Sequence, residues 1–316
     1  MKVFRIILCV LLLAAAVLAP PYLVKMARRD FFASLFEREK PAFSGTVVLY
    51  HVASKRTMAG SVTAWLNAQA EAYEKKHRGT FVLIEGMTEE QFAKRIAYGR
   101  TADGYSFFSG ALYPELFQPI GIASEGLREG LFDTEWAVPY LYSGYAAIEA
   151  EGGTASLPAS DPIAALFDER TEKMGSVVSL YEAGRAQSGD GTYGAIGKVE
   201  PIGSYTDEVC WLGIGRACDE AHTEALRGFF RFLCDRAQQQ TLGALGAFSV
   251  REDVKDAIEQ SRFRPIAETY RFPKTPDPFL LYGQRDRLML DAEAALSGDG
   301  DAERRFRERM DGILGK

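Results

Sequence analysis

Several signatures of catalysis and cofactor binding are missing from this sequence. Histidine is scarce, with three residues in 316, and neither a His-x-x-x-His nor a Cys-x-x-Cys spacing occurs. The usual zinc motifs are therefore excluded. The sequence has no Gly-x-Ser-x-Gly nucleophile elbow. The stretch "GIGRAC" (213–218) lacks the third glycine of a dinucleotide-binding loop. We therefore predict a protein that is not an enzyme and that needs no metal or cofactor.

Cysteine is also rare, and the chain has four. Cys9 lies in the N-terminal apolar run, which leaves Cys210, Cys218 and Cys234 in the body of the protein. An odd number allows at most one internal disulfide. Cys210 and Cys234 lie in apolar surroundings that predict buried, unpaired side chains. For Cys218 the sequence allows either a free thiol or a disulfide.

The chain has no excess of positive charge. Its formal net charge is -6, and the first 29 residues contain no acidic residue, so the remainder is more acidic still. An acidic body argues against nucleic acid as a partner.

The N-terminus has the composition of an export signal: basic residues precede an apolar run from Ile6 to Val24. Three alternatives remain. Lipidation of Cys9 is disfavoured by the bulky Leu8. Cleavage of a signal peptide fits the small residues within 14–16 and within 17–19, but Pro20 disfavours cleavage at the second of these sites. We favour an uncleaved anchor, because 19 residues approach the roughly 20 that span a bilayer. Each alternative predicts an extracytoplasmic protein, either membrane-anchored or secreted.

Residues 25–44 would follow the membrane directly as a juxtamembrane helix or linker. Phe31, Phe32, Leu35 and Phe36 fall on one helical face. This pattern fits a helix that lies on the bilayer, or a helical stalk packed on the domain.

From Gly45 the pattern alternates between strands and helices. Apolar, β-rich runs predict strands at 45–52, 80–86 and 104–110. A helix capped by Ser61 is predicted over 61–79, and a capping box at Thr88 opens the next helix. Strands that alternate with helices predict an α/β fold with a parallel sheet.

Longer stretches resemble a known family. The order of elements through "EGMTEEQFAKRI", the segment "WAVPYLYSGYAAIEA" (136–150) and the stretch 204–254 are similar to bacterial extracellular solute-binding proteins of ABC importers, of the maltose-binding type. The resemblance implies two lobes, with 45–145 and 206–254 in the first and 146–205 and 255–316 in the second. It also implies hinge crossovers near 145, 205 and 255.

The resemblance implies capture of a small solute, most directly a carbohydrate, for a membrane permease. One segment departs from the family, because 151–203 is short and rich in glycine, which predicts a reduced second lobe. The alternative function is therefore a membrane-tethered, degenerate binding fold that acts as a sensor or interaction protein and presents a surface to a membrane receptor.

Aromatic residues are the best candidates for a ligand site, because apolar sugar faces stack on such rings. The aromatic candidates named below cluster with Tyr145 at the predicted crossovers and strand ends. His51 ends the first strand, where a ligand contact and a structural role both stay open. The resemblance implies a ligand-facing acid at Asp103. The predicted ligand-binding residues are Tyr50, His51, Asp103, Trp136, Tyr140, Tyr142, Tyr205 and Trp211.

Overall fold

Local sequence signals determine where the first helices begin. The computed structural model describes residues 43–53, 60–122, 126–128, 131, 133–151, 160–167, 175–187, 196–254 and 274–314. Ser61 accepts a hydrogen bond from the Ala64 amide, and Thr88 and Gln91 form a reciprocal capping box. These caps satisfy amides that the first turn of a helix leaves unpaired.

The described residues contain strands and helices throughout the chain. The strands are β1 (Gly45–Ala53), β2 (Thr80–Thr88), β3 (Gly104–Phe108), β4 (Phe117–Gln118), β5 (Ala137–Tyr142), β6 (Tyr145–Ala150), β7 (Ser176–Ser179), β8 (Ile196–Pro201), β9 (Val209–Gly215) and β10 (Phe248–Ser249). The α-helices are α1 (Val62–Lys76), α2 (Glu89–Ala97), α3 (Pro162–Ala165), α4 (Leu180–Gln187), α5 (Glu220–Cys234), α6 (Arg236–Gln239), α7 (Arg285–Leu296) and α8 (Gly300–Ile313). Two 3-10 helices span Pro114–Leu116 and Gln240–Leu245.

The larger sheet has the strand order β10-β5-β9-β3-β1-β2, and β4 pairs with β9. Strand β1 runs parallel to both β2 and β3, whereas β9 runs antiparallel to β3 and β5. The strand that returns late in the chain, β9, therefore lies inside the sheet that β1 begins. Its seven residues are all buried.

A smaller antiparallel sheet has the order β7-β6-β8. Strand β6 begins at Tyr145, directly after β5 ends at Tyr142. Ser143 and Gly144 thus carry the chain from one sheet to the other.

Among the described residues, each sheet has a hydrophobic core beside it, and a smaller cluster of Ala146, Ile148, Val178, Leu180 and Ala183 also lies on the smaller sheet. The first core lies on the larger sheet and includes Tyr50, Tyr105, Phe107, Phe117, Tyr142 and Trp211. The second core includes Tyr145, Ile163, Val177 and Tyr205, and α7 and α8 pack into it through Leu288, Ala292, Phe306 and Met310. The C-terminal helices therefore belong with the smaller sheet.

The predicted α/β, two-lobed fold is confirmed by the two sheets and the core beside each of them. Residues Gly45–Lys316 form one compact unit. The lobe boundaries stay a prediction. Residues 152–159, 168–174 and 188–195 lie outside the described residues, so the reduced second lobe also stays a prediction.

The predicted signal or anchor at 1–24 and most of the predicted linker at 25–44 lie outside the described residues. In the part of the chain that the structure describes, no helix is both long and apolar enough to cross a bilayer.

Candidate functional site

The junction between the two sheets consists of three chain segments that lie side by side. The Ser143 amide donates a hydrogen bond to the Glu208 carbonyl oxygen at 2.7 Å, and the Thr206 hydroxyl donates to the Ser143 carbonyl oxygen at 3.0 Å. The Thr206 amide donates to the Lys274 carbonyl oxygen at 3.1 Å. The segments 142–145, 202–209 and 274–285 thus form one strip of backbone between the lobes.

A charged cluster is buried in this strip. The Tyr145 hydroxyl donates hydrogen bonds to Asp207 Oδ1 at 2.5 Å and Glu208 Oε1 at 3.1 Å. Arg285 Nη2 lies 3.2 Å from Asp207 Oδ2. Asp207 and Glu208 are only 3% and 1% exposed, so their charges need compensation within the protein. Asp207 raises the pKa of Arg285 further above its ordinary value, which keeps the guanidinium charged.

Arg285 also faces the first lobe. Burial raises the pKa of Glu89, at the start of α2, while the nearby positive charge of Arg285 lowers it and Asp286 raises it. Glu89 follows β2 directly, at the carboxyl end of the parallel strands. One guanidinium therefore interacts with the strip between the lobes and with the edge of the larger sheet.

An aromatic pair, one ring exposed and the other half-buried, lies beside the same edge. The rings of Tyr113 and Tyr282 are 5.4 Å apart, at an interplanar angle of 49°. Tyr282 is 44% exposed and its neighbour Leu280 is 52% exposed. Tyr113 follows the carboxyl end of β3, and the Gly110 amide donates to the Pro278 carbonyl oxygen at 2.8 Å. The pair thus joins the loop after β3 to the segment that leads into α7.

The segment that leads into α7 contacts both cores. Phe279 packs in the first core against Phe107 and Phe117, with ring centroids 5.8 and 5.3 Å apart. Leu281 is fully buried in the second core. Tyr282 follows Leu281, so its ring lies where the two lobes meet.

Four of the predicted ligand-binding residues lie together in or against the first core: Tyr50, Trp136, Tyr142 and Trp211. Trp211 has no exposed surface, and its indole nitrogen donates to the Ser109 hydroxyl at 2.9 Å. Tyr142 is stacked on Phe248, with centroids 5.1 Å apart. Trp136 is partly buried. The ring faces of Trp211 and Tyr142 are thus occupied by other residues of the protein.

His51 and Tyr140 belong to a separate, buried polar network. Ser106 joins them, because its hydroxyl lies 2.8 Å from His51 Nδ1 and 2.8 Å from the Tyr140 hydroxyl. The Cys210 thiol lies 3.1 Å from the Tyr140 hydroxyl. Burial lowers the pKa of His51 to about 4 and raises the pKa of Cys210 to about 12. Both groups are therefore neutral at pH 7.

Tyr205 lies in the second core and is itself part of the strip between the lobes. Its ring is stacked on Phe167, with centroids 4.4 Å apart. Its hydroxyl is buried and has no hydrogen-bond partner among the described residues. Burial raises the pKa of Tyr205 well above its ordinary value, so this hydroxyl stays protonated.

Asp103 lies away from the other predicted residues. It precedes β3, and its Oδ2 accepts a hydrogen bond from the Val48 amide at 2.8 Å. Because β1 and β3 are parallel, the amino end of β3 lies at the opposite edge of the sheet from Tyr113. The structure therefore does not bring Asp103 near the carboxyl edge. Ligand contact by all eight predicted residues stays a prediction.

The three cysteines in the body of the protein, Cys210, Cys218 and Cys234, are free thiols. No described cluster of His, Cys, Asp and Glu side chains has the composition and spacing to hold a metal ion.

The residues at the junction that sequence reasoning missed are Asp207, Glu208, Arg285, Tyr113 and Tyr282. Tyr113 carried a usable signal, because residues that follow a parallel strand lie at the ligand edge of such sheets. Arg285 and Tyr282 carried none, since only the tertiary fold places them beside residues that are distant in sequence.

Comparisons with solved structures show which fold the chain has. The GacH receptor of Streptomyces glaucescens GLA.O, studied unliganded and with acarbose, superposes with a TM-score of 0.54 over 85% of this chain and 97% of its own, at 13% identity. The maltotriose-binding protein of Thermus thermophilus superposes with a TM-score of 0.52 over 85% of this chain and 99% of its own, at 11% identity. The chain has the fold of the ABC-importer solute-binding proteins.

A further structure carries the same fold: an ABC substrate-binding protein from Listeria monocytogenes, solved in complex with cycloalternan. It has a TM-score of 0.50 over 85% of this chain and 98% of its own, at 10% identity. At the level of sequence, the chain matches no protein-family model and no curated protein. The fold is therefore established by structure, and the solute has to be argued from the site.

Proposed function

We propose that this protein is an extracytoplasmic solute-binding protein that captures a small carbohydrate and delivers it to an ABC-type permease. The fold supports solute capture, and the similar structures named above were solved with or named for acarbose, maltotriose and cycloalternan. In this proposal no bond is made or broken, and the protein works by closing two lobes on the solute.

The proposed lobes are the predicted ones: 45–145 with 206–254, and 146–205 with 255–316. The separate sheets and separate cores support this division. The proposed hinge consists of the crossovers near 145, 205 and 255; the segments 142–145 and 202–209 contain the first two, and residues 255–273 lie outside the described residues. Few residues connect the lobes there, so changes in a small number of backbone dihedrals are sufficient to move one lobe against the other.

The observation that carries the proposal is the pair Tyr113 and Tyr282 at the carboxyl edge, of which Tyr282 is exposed and Tyr113 is half-buried. Solute-binding crevices of open α/β sheets lie at that edge. Two tyrosine rings whose faces are partly free offer an apolar surface to a sugar, and their hydroxyls offer hydrogen bonds. Contact of Trp211 and Tyr142 with the solute, expected only when the lobes close on it, stays part of the proposal.

The experiment is calorimetric titration of the full chain with a panel of mono- and oligosaccharides. We expect binding by wild type and a loss of roughly 1 to 3 kcal/mol, or roughly fivefold to 150-fold in Kd, for Tyr113→Ala or Tyr282→Ala. Tyr98→Ala is the matched control, because Tyr98 is 83% exposed and follows α2, which packs on a different part of the larger sheet.

Unchanged affinity in folded Tyr113→Ala and Tyr282→Ala variants would remove the pair from the site but leave solute binding intact. If titration of wild type with every sugar gives no heat of binding, the proposal that the solute is a carbohydrate is wrong. That result would favour the alternative, a membrane-tethered sensor or interaction protein that presents its surface to a membrane receptor.

A further inference from the structure

The edge strand β2 has an uncovered apolar face. Its even-numbered residues Thr80, Val82 and Ile84 are buried, whereas Phe81 is 55% exposed and Leu83 is 49% exposed. Large apolar side chains that are exposed in succession along one strand are uncommon on soluble proteins and mark contact surfaces. Among the described strands, β2 is the last of the larger sheet on this side.

Helix α2 covers only part of this face. Phe92 is buried against the first core, and the Arg95 guanidinium lies 5.0 Å from the centre of the Tyr50 ring and pairs with Glu85. The helix ends at Ala97, so the amino-terminal half of the face extends beyond its cover. There Leu83 pairs with Val48 and Phe81 pairs with Thr46. We call these four residues, Thr46, Val48, Phe81 and Leu83, the β1–β2 patch.

Two exposed cations lie in the turns that lead into this part of the sheet: Arg78 in the turn before β2 and Arg100 in the turn before β3. Lys75 and Lys76 end α1, where Lys76 Nζ lies 5.1 Å from the centre of the Phe232 ring. The acidic Glu74 in the same region accepts a hydrogen bond from the Val82 amide at 2.8 Å. In a protein with a formal net charge of -6, the exposed Arg78 thus precedes Phe81 of the patch by three residues.

The chain also enters the sheet at this edge. Gly45 pairs with Thr80, and its amide donates a hydrogen bond to the Gly79 carbonyl oxygen at 2.9 Å. All residues before Gly45, including the apolar run Ile6–Val24, are therefore covalently attached beside the patch. If that run enters a bilayer, the effective concentration of the lipid surface at the patch is high.

We propose that the β1–β2 patch rests on the surface of an anionic bilayer, with Phe81 and Leu83 in the interfacial region and Arg78 and Arg100 against lipid phosphates. Apolar and aromatic side chains flanked by lysine and arginine are the chemistry of interfacial membrane binding. The contact is reversible, because the apolar area is small.

The test uses the full chain reconstituted in vesicles of phosphatidylcholine and phosphatidylglycerol that contain lipids with brominated acyl chains. Bromine quenches tryptophan fluorescence at short range. In Phe81→Trp we expect the added tryptophan to be quenched, after subtraction of the wild-type signal. Leu296→Trp is the matched control, because Leu296 is 47% exposed at the end of α7 in the other lobe. There we expect no added quenching.

The electrostatic part is tested by Arg78→Glu with Arg100→Glu in the Phe81→Trp background. Each cation near an anionic leaflet contributes roughly fivefold to binding, so the double reversal should lower the ratio of docked to free lobe by roughly 25-fold or more. Salt at about 1 M should reduce the quenching of the added tryptophan in the same direction.

Three outcomes would overturn the proposal. Equal quenching of the added tryptophan in Phe81→Trp and in Leu296→Trp would show that the patch has no preference for lipid. If neither salt nor charge reversal changes the quenching in Phe81→Trp, the contact does not depend on anionic lipid. Protection of the added tryptophan from iodide in the absence of vesicles would show that protein, such as a second copy of the chain, covers the patch.

Discussion

The buried His51 predicts how the stability of the protein depends on pH. This side chain is 2% exposed, lies beside the Phe108 ring, and has the Ser106 hydroxyl 2.8 Å from Nδ1. Burial lowers its pKa from the ordinary 6.5 to about 4, because a charged imidazolium loses its hydration in the core. The folded state therefore holds neutral imidazole at pH values at which the unfolded chain is already protonated.

Proton linkage gives the sign and the size of the contribution that His51 makes to the pH dependence of stability. The unfolded chain binds the proton first, near pH 6.5, so the contribution of His51 is fully present above that pH and is lost as pH falls toward 4. At about 1.4 kcal/mol for each pH unit, the loss is about 2 kcal/mol by pH 5 and about 3 kcal/mol by pH 4. That is a substantial part of the roughly 5–15 kcal/mol that stabilises a typical domain.

The assay is urea unfolding at several pH values between 7.5 and 4.5, followed by tryptophan fluorescence. His51→Asn is the comparison, because the amide can keep a hydrogen bond to Ser106 and does not titrate. We expect the free energy of unfolding to fall by about 2 kcal/mol more in wild type than in His51→Asn between pH 7 and pH 5. Equal slopes in the two proteins would refute the argument, since every other titrating group is common to both.

Three further predictions concern the core, the hinge and the N-terminus. Trp211→Ala should lower the free energy of unfolding by about 3–5 kcal/mol, because it empties a fully buried site, and thermal melts will show it; an unchanged melting temperature would contradict the core assignment. Arg285→Ala should lower the free energy of unfolding, measured by urea titration, by about 3–5 kcal/mol, because it leaves the Asp207 charge buried without its partner. The double variant Arg285→Met with Asp207→Asn should lose less, and equal losses in the two variants would exclude the ion pair as the cause. Mass spectrometry of the protein from its native membrane should find residues 1–24 retained, and a mature N-terminus between 15 and 30 would end the anchor interpretation.

The elements of the first lobe could be predicted from the sequence because local signals determine them. Strands predicted at 45–52, 80–86 and 104–110 are observed at Gly45–Ala53, Thr80–Thr88 and Gly104–Phe108. The predicted capping box at Thr88 is present with both of its hydrogen bonds. Apolar periodicity and capping chemistry act within a few residues, so one sequence is sufficient to recognise them.

The candidate site could not be predicted in the same way, because it depends on pairs that are distant in sequence. Tyr113 meets Tyr282, and Asp207 meets Arg285, only through the packing of the segment before α7 between the two cores. Aromatic content alone also could not locate an exposed ring. Trp211 is on β9, which has β3 on one side and β5 on the other, so its side chain is enclosed.

The glycines of the "GIGRAC" stretch show how a central strand explains a pattern that resembles a nucleotide loop. A Cβ atom on Gly213 would overlap the ring of Phe117, and one on Gly215 would lie 2.5 Å from the Ala102 carbonyl oxygen. Both positions therefore need glycine for close packing, at the end of β9 where β4 pairs with it. That end lies at the amino edge of β3, opposite the edge that carries Tyr113. Glycine here makes room for the first core, whereas the candidate site lies at the residues that follow the carboxyl ends of β2 and β3.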